Sequence, residues 1–120
     1  MFTNLQILDL SENNFQGNIQ VIRSLAPSLK VLLLANNQLE GIFPTNGLDH
    51  LLNLQVVSIS FNQISGSLRG LATLPQLQEI RAQGNALDEV LPAIDTGADV
   101  LTLVRSYNIV LCYNPSSYQF

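Results

Sequence analysis

The feature that most constrains this chain is that it repeats itself. The segment LQILDLSENNFQG from Leu5 returns as LKVLLLANNQLEG from Leu29 and as LQVVSISFNQISG from Leu54, and a looser copy, LQEIRAQGNALDE, begins at Leu77. Successive copies start 24, 25 and 23 residues apart. A unit that short cannot enclose an apolar interior alone, so neighbouring units must stack and share one. Columns hold across the units. Asn13, Asn37, Asn62 and Asn85 form one, and Phe15, Leu39, Ile64 and Leu87 the next. Gly17, Gly41 and Gly66 follow, broken by Glu89, and then Ile19, Phe43, Leu68 and Leu91.

Each unit divides in two. Alternation such as Leu8-x-Leu10 predicts a short strand with every second residue inward. The remainder must bring the chain back to begin the next parallel strand. Its leucines recur near every third position, as in Leu48, Leu51 and Leu54 or Leu68, Leu71, Leu74 and Leu77. That spacing predicts tight 3₁₀-like or extended returns with one apolar edge. Prolines at 27, 44, 75 and 92 disfavour long helices there. The asparagine comes after each strand, where the backbone turns and buried peptide groups lose their sheet partners. A carboxamide carries both donors and an acceptor. The four asparagines are therefore expected inside, as a ladder, and not in a binding site.

Composition narrows the function classes. With 47% hydrophobic and 12% charged residues, the chain buries enough surface to offset the entropy of ordering it. A net charge of −4 and five dispersed basic residues exclude a phosphate-neutralising patch, so nucleic acid is not an expected partner. The lone cysteine, Cys112, rules out an intrachain disulfide and a cysteine zinc site. No apolar run is long enough to span a bilayer, and MFTNLQILDL lacks the basic and apolar regions of a signal peptide.

Catalysis finds little support. His50 is the only histidine; in LDHLLNL it reads as a solvated residue on the outer side of a return. Asp49 beside it points elsewhere on a turn. Asp88 and Glu89 are adjacent carboxylates best read as a solvated loop, and Cys112 as an inert thiol facing outward. No cofactor and no metal site are expected, and the chain is read as non-enzymatic.

The repeated residues resemble the leucine-rich repeat pattern LxxLxLxxNxL over residues 5 to 92. LSENNFQGNI and LANNQLEGIFP resemble the plant-type subclass, whose asparagine is followed by glycine, an apolar residue and proline. The proline gives way to Gln20 and Arg69, and Ala82 fills a leucine slot. Paired-cysteine caps and a usable glycosylation sequon, both common in plant ectodomains, are absent. The resemblance implies an α/β repeat solenoid. Its coil would be right-handed, with a parallel β-sheet on the concave face and mostly 3₁₀ or loop returns on the convex face. It would form one domain over 1–120, a slice of a longer array, with a self-capped minimal solenoid as the alternative.

A degenerate fifth unit falls near 100–116. Its strand lies either just after Val100, with Asn108 in the asparagine column and Arg105 inward, or later, in IVLCYNPSS, with Ile109, Leu111 and Asn114 in frame. The later placement is preferred, because it spares Arg105 from burial without a partner.

In such a solenoid the residues between the strand leucines face the concave side. The outward positions form rows: Ile7, Val31, Val56 and Glu79; Asp9, Leu33, Ser58 and Arg81; Ser11, Ala35, Ser60 and Gln83; Glu12, Asn36, Phe61 and Gly84. A partner-binding surface is predicted from Ile7, Asp9, Glu12, Val31, Leu33, Val56, Ser58, Phe61, Glu79 and Arg81. Its centre is apolar and its rim charged, as at many interfaces. The expected partner is a protein or peptide ligand, with self-association through uncapped ends as a further contact. By resemblance the parent is a receptor-type ectodomain; a secreted inhibitor of the polygalacturonase-inhibitor type and an intracellular scaffold are the alternatives. An extracellular or membrane-attached parent and a cytoplasmic one both remain open.

Overall fold

In the computed structural model, residues 4–71, 74–87 and 110–112 are described. Strands β1 (Ile7–Asp9), β3 (Val31–Leu33), β5 (Val56–Ser58), β7 (Glu79–Arg81) and β9 (Val110–Cys112) form one five-stranded sheet, parallel throughout and in that order. The first four pair in phase with the repeat, so that Leu8, Leu32, Val57 and Ile80 lie side by side. Their backbone ladder continues past the strands: Leu10 N–H donates to Leu33 O at 2.8 Å and Glu12 N–H to Ala35 O at 2.9 Å.

Leu32, Val57 and Ile80 are sealed from solvent, each at most 1% exposed. Burying such a side chain stabilises by roughly 1.5–3 kcal/mol. The returns follow their leucine spacing. Leu51 N–H donates to Leu48 O and Leu54 N–H to Leu51 O, and Leu71 and Leu74 repeat the arrangement from Leu68. Three-residue spacing thus becomes a chain of i to i+3 bonds that turns Leu48, Leu51, Leu54, Leu68, Leu71 and Leu74 inward. The first return is a longer 3₁₀ segment, Ile19–Ser24, capped by the Asn18 side chain, which accepts from Gln20 N–H at 2.9 Å.

A second sheet joins these elements. Strands β2 (Gln16–Asn18), β4 (Gln38–Ile42), β6 (Gln63–Gly66) and β8 (Ala86–Leu87) form four parallel strands on the flank, where the sequence had suggested only loop and 3₁₀ turns. Their register differs from that of the first sheet. Gln16 pairs with Gln38, Glu40 with Gln63 and Ser65 with Ala86. Each strand therefore meets its neighbour two residues out of phase with the repeat. Gly41 makes the approach possible: its φ is +95°, and a Cβ there would lie 2.6 Å from the Asn18 carboxamide.

Three of the four column asparagines sit as expected, bonded to backbone and not to one another. Asn62 is 7% exposed; its Nδ2 donates to Leu34 O, Ile59 O and Ser60 O, and its Oδ1 accepts Leu39 N–H. Asn37 Oδ1 likewise accepts Phe15 N–H at 3.1 Å, and Asn85 Oδ1 accepts Ile64 N–H at 3.0 Å. Asn13 departs from the expectation. It is exposed and bonds only within its own turn, to Leu10 O and Ser11 O. The internal role requires a preceding coil to supply the N–H that its oxygen would accept, and no described coil lies there.

His50 also differs from its reading as a solvated residue. It is half-buried, with Nε2 2.9 Å from Leu25 O of the preceding return. A carbonyl only accepts, so Nε2 carries the proton and the ring ties two coils together. Asn53 acts similarly, donating to Pro27 O at 2.9 Å.

Strand β9 lies in the later of the two segments considered for the fifth unit. It pairs Glu79 with Val110 and Arg81 with Cys112, two residues beyond the spacing that aligns Asn114 with Asn85. Asp88, Glu89, Val100, Arg105, Asn108, Ile109 and Asn114 lie outside the described residues.

Candidate binding surface

The in-phase register of the first sheet fixes its outer face. Ile7, Val31, Val56 and Glu79 form one row across it, and Asp9, Leu33, Ser58 and Arg81 a second. Ile7 stands 62% exposed at the N-terminal edge, while Val31, Leu33 and Val56 are half-buried beside their neighbours. Ser58 is the exception among the predicted contact residues. It lies in its row between Leu33 and Arg81 but is only 6% exposed. A short side chain flanked by two long ones on a parallel sheet is shaded by them, so Ser58 forms the floor of the surface.

Phe61 does not join the apolar row directly. Ser60, 4% exposed and donating from Oγ to Gln83 Oε1 at 2.9 Å, and the half-buried Ala35 intervene. The ring stands instead at the rim, where the chain leaves the sheet. Glu12, Asn36 and Phe61 all adopt left-handed backbone there, with φ of 56°, 59° and 56°, and Gly84 completes the row at +78°. The coil imposes this conformation at each turn. Asparagine and glycine adopt it readily, whereas a bulky aromatic does so at a cost. The 53% exposed ring of Phe61 lies over Gly84, and a Cβ on Gly84 would collide with it.

Charge is unevenly placed. Asp9 and Glu12 are exposed at the N-terminal end of the surface. The backbone N–H of Ser11, 3.0 Å from Asp9 Oδ1, and the Ser11 side chain hold the Asp9 carboxyl below its ordinary value. Among the described residues the one ion pair is Arg81 Nε with Glu79, two residues apart on β7, so neither Asp9 nor Glu12 has a cationic partner there. The described residues contain no cluster of metal-ligating side chains and no helix long and apolar enough to cross a membrane.

A second concavity opens at the N-terminal end. It encloses about 220 Å³ and is lined mainly by Leu8, Leu10, Phe15, Val21, Leu25 and Leu39. Phe15 shares its column with Leu39, Ile64 and Leu87, which are buried, yet it is itself 46% exposed.

Known proteins share these features. A family profile described as Leucine rich repeat matches residues 27–87, and a second, Leucine Rich Repeat, matches residues 4–25. Receptor like protein 21 of Arabidopsis thaliana is 35% identical over 82 residues, covering 68% of this chain and 8% of its own length. The chain thus spans less than a tenth of that relative. Among solved structures, the complex titled PEPR1-AtPEP1 aligns with 33% identity and a TM-score of 0.63, over 71% of this chain and 12% of that one. Pollen Receptor Kinase 3 aligns over 98% of this chain and 65% of its own, with a TM-score of 0.77 and 23% identity, a likeness of fold alone.

Proposed function

The chain belongs to the leucine-rich repeat family, and on that footing we propose that it is a non-catalytic module that binds a peptide or protein ligand through its first sheet, as part of a receptor-type ectodomain. The observation that carries this reading is the first sheet's outer face. It is a register-locked surface whose half-buried Val31, Leu33 and Val56 lie between carboxylates at one end and the Glu79–Arg81 pair at the other. A surface with an apolar middle and a polar rim suits association. The PEPR1-AtPEP1 complex and the receptor-like relative support the same class of role.

The test is selection of a random displayed-peptide library on the immobilised chain, followed by rebinding to two variants. Leu33→Glu alters the proposed face, and Leu52→Glu alters a residue 55% exposed on a return. Selected peptides should lose binding to Leu33→Glu and keep it with Leu52→Glu. Loss with Leu52→Glu alone would place the binding surface on the returns and end this reading.

A further inference from the structure

The return between the second and third coils carries a reactive pair of residues that ligand binding does not use. Asn46 is followed by Gly47, and no other asparagine of the chain precedes a glycine. Both are exposed, in a short stretch held on either side by the fully buried Phe43 and Leu48. Gly47 has φ of +80°, a conformation that a residue with a side chain adopts at a cost. Among the described residues neither its peptide N–H nor the Asn46 carboxamide takes part in a hydrogen bond.

Asn53, in the same return, shows the contrast. It is exposed as well, but its Nδ2 donates to Pro27 O at 2.9 Å. The next residue is the buried Leu54, whose N–H donates to Leu51 O at 3.3 Å. There the carboxamide is tied, the following nitrogen is engaged and a branched side chain obstructs the approach. At Asn46 all three restraints are missing.

We infer that Asn46 is a site of spontaneous covalent modification, in which the chain's own backbone attacks the side chain. The Gly47 peptide nitrogen loses its proton to hydroxide and bonds to Asn46 Cγ. The Cγ–Nδ2 bond breaks, and ammonia leaves with a proton from water, which regenerates hydroxide. The cyclic imide then adds water at either carbonyl. One opening leaves aspartate. The other leaves isoaspartate, with the main chain running through Cβ and Cγ and a free α-carboxylate. In sum, an amide and water become a carboxylate and ammonium. Glycine suits the attack because it has no Cβ to block Cγ and a backbone free to turn. The new charge also has a tolerant setting. The Arg23 side chain lies against Gly47, where a Cβ would come 2.5 Å from its Nε. Arg23 has no carboxylate partner among the described residues, so the carboxylate forms beside a cation.

The experiment incubates the full, folded chain from neutral to mildly alkaline pH and reads the products by peptide mass mapping. Fragmentation separates aspartate from isoaspartate. Methyl uptake from S-adenosylmethionine, catalysed by a purified isoaspartyl methyltransferase, counts isoaspartate independently. Conversion at Asn46 should rise in proportion to hydroxide and outpace Asn53 at least tenfold. It should stay within tenfold of the rate in a capped Pro-Thr-Asn-Gly-Leu peptide. Asn46→Gln, which would have to close a larger ring, should cut methyl uptake at least tenfold. A folded rate more than tenfold below the peptide's would overturn the inference, since the fold would then protect the site. Equal rates at Asn46 and Asn53, indifference to pH, or methyl uptake kept by Asn46→Gln would overturn it too.

Discussion

The carboxamide oxygen of Asn62 accepts the backbone N–H of Leu39 from the preceding coil at 3.0 Å, while its nitrogen donates to Leu34 O, Ile59 O and Ser60 O. One side chain thus closes its own turn and fastens the turn before it. Replacing it with alanine takes the carboxamide acceptor from the Leu39 N–H and removes one donor from each of three carbonyls, which keep bonds from Asn37, Asn85 and the Asn36 backbone. Asn62→Ala should cost about 1–3 kcal/mol, seen as a lower midpoint in urea unfolding. Asn13→Ala should cost a few tenths at most, because Asn13 is exposed and spans no coil boundary. Equal losses at both positions would contradict the cross-coil role.

Among the described residues Phe43 is the largest fully buried side chain, at 0% exposure, in the return that joins the second and third coils. Phe43→Ala should destabilise by about 3–5 kcal/mol, through lost transfer energy and the cavity left behind. Thermal unfolding with comparison to Leu52→Ala, at an exposed site, measures it.

Phe61 should behave in the opposite way. Asparagine adopts the left-handed conformation that Asn36 already shows at φ 59°. Phe61→Asn should therefore keep or raise stability, by about 0.5–1 kcal/mol, since relief of the backbone strain outweighs a half-exposed ring contact. A clear fall in unfolding midpoint would show that the ring is structural.

Asp9 gives a pH dependence. Hydrogen bonds from the Ser11 backbone and side chain lower its pKa below 3.8. A depressed carboxylate contributes stability that is complete above the unfolded value and is lost as pH falls through the folded one. Asp9→Asn copies the protonated form, so it should be slightly less stable than the parent at neutral pH. The gap should close as pH drops below 3.8, in parallel unfolding curves of the two proteins.

The sequence exposed the fold where one residue type answers to one geometric demand. Leucines every third residue became i to i+3 bonded returns, and the asparagine column became the cross-coil fastening at 37, 62 and 85. The flank sheet was not legible. Its strands, such as QGN and QISG, have weak strand propensity and are held by pairing with adjacent coils, a tertiary effect that outweighs local preference. The exposure of Asn13 and the bond from His50 to Leu25 were hidden for a related reason. Both depend on which coil lies alongside, and a column of letters treats every coil alike. On the outer face, the rows were readable from the period of two, but the shading of Ser58 depends on the lengths of its lateral neighbours.

The unequal registers of the two sheets have a geometric consequence. Rows on the inner side run square to the strands, whereas on the flank each row slips two residues per coil, about 6.6 Å along the strand. Slip of this kind inclines strands to the direction in which they stack. A pile that is square on one side and oblique on the other cannot bend into a flat arch; it must wind like a spiral stair. A stiff rod laid along the inner side would follow only a few treads before the surface rotated out from beneath it.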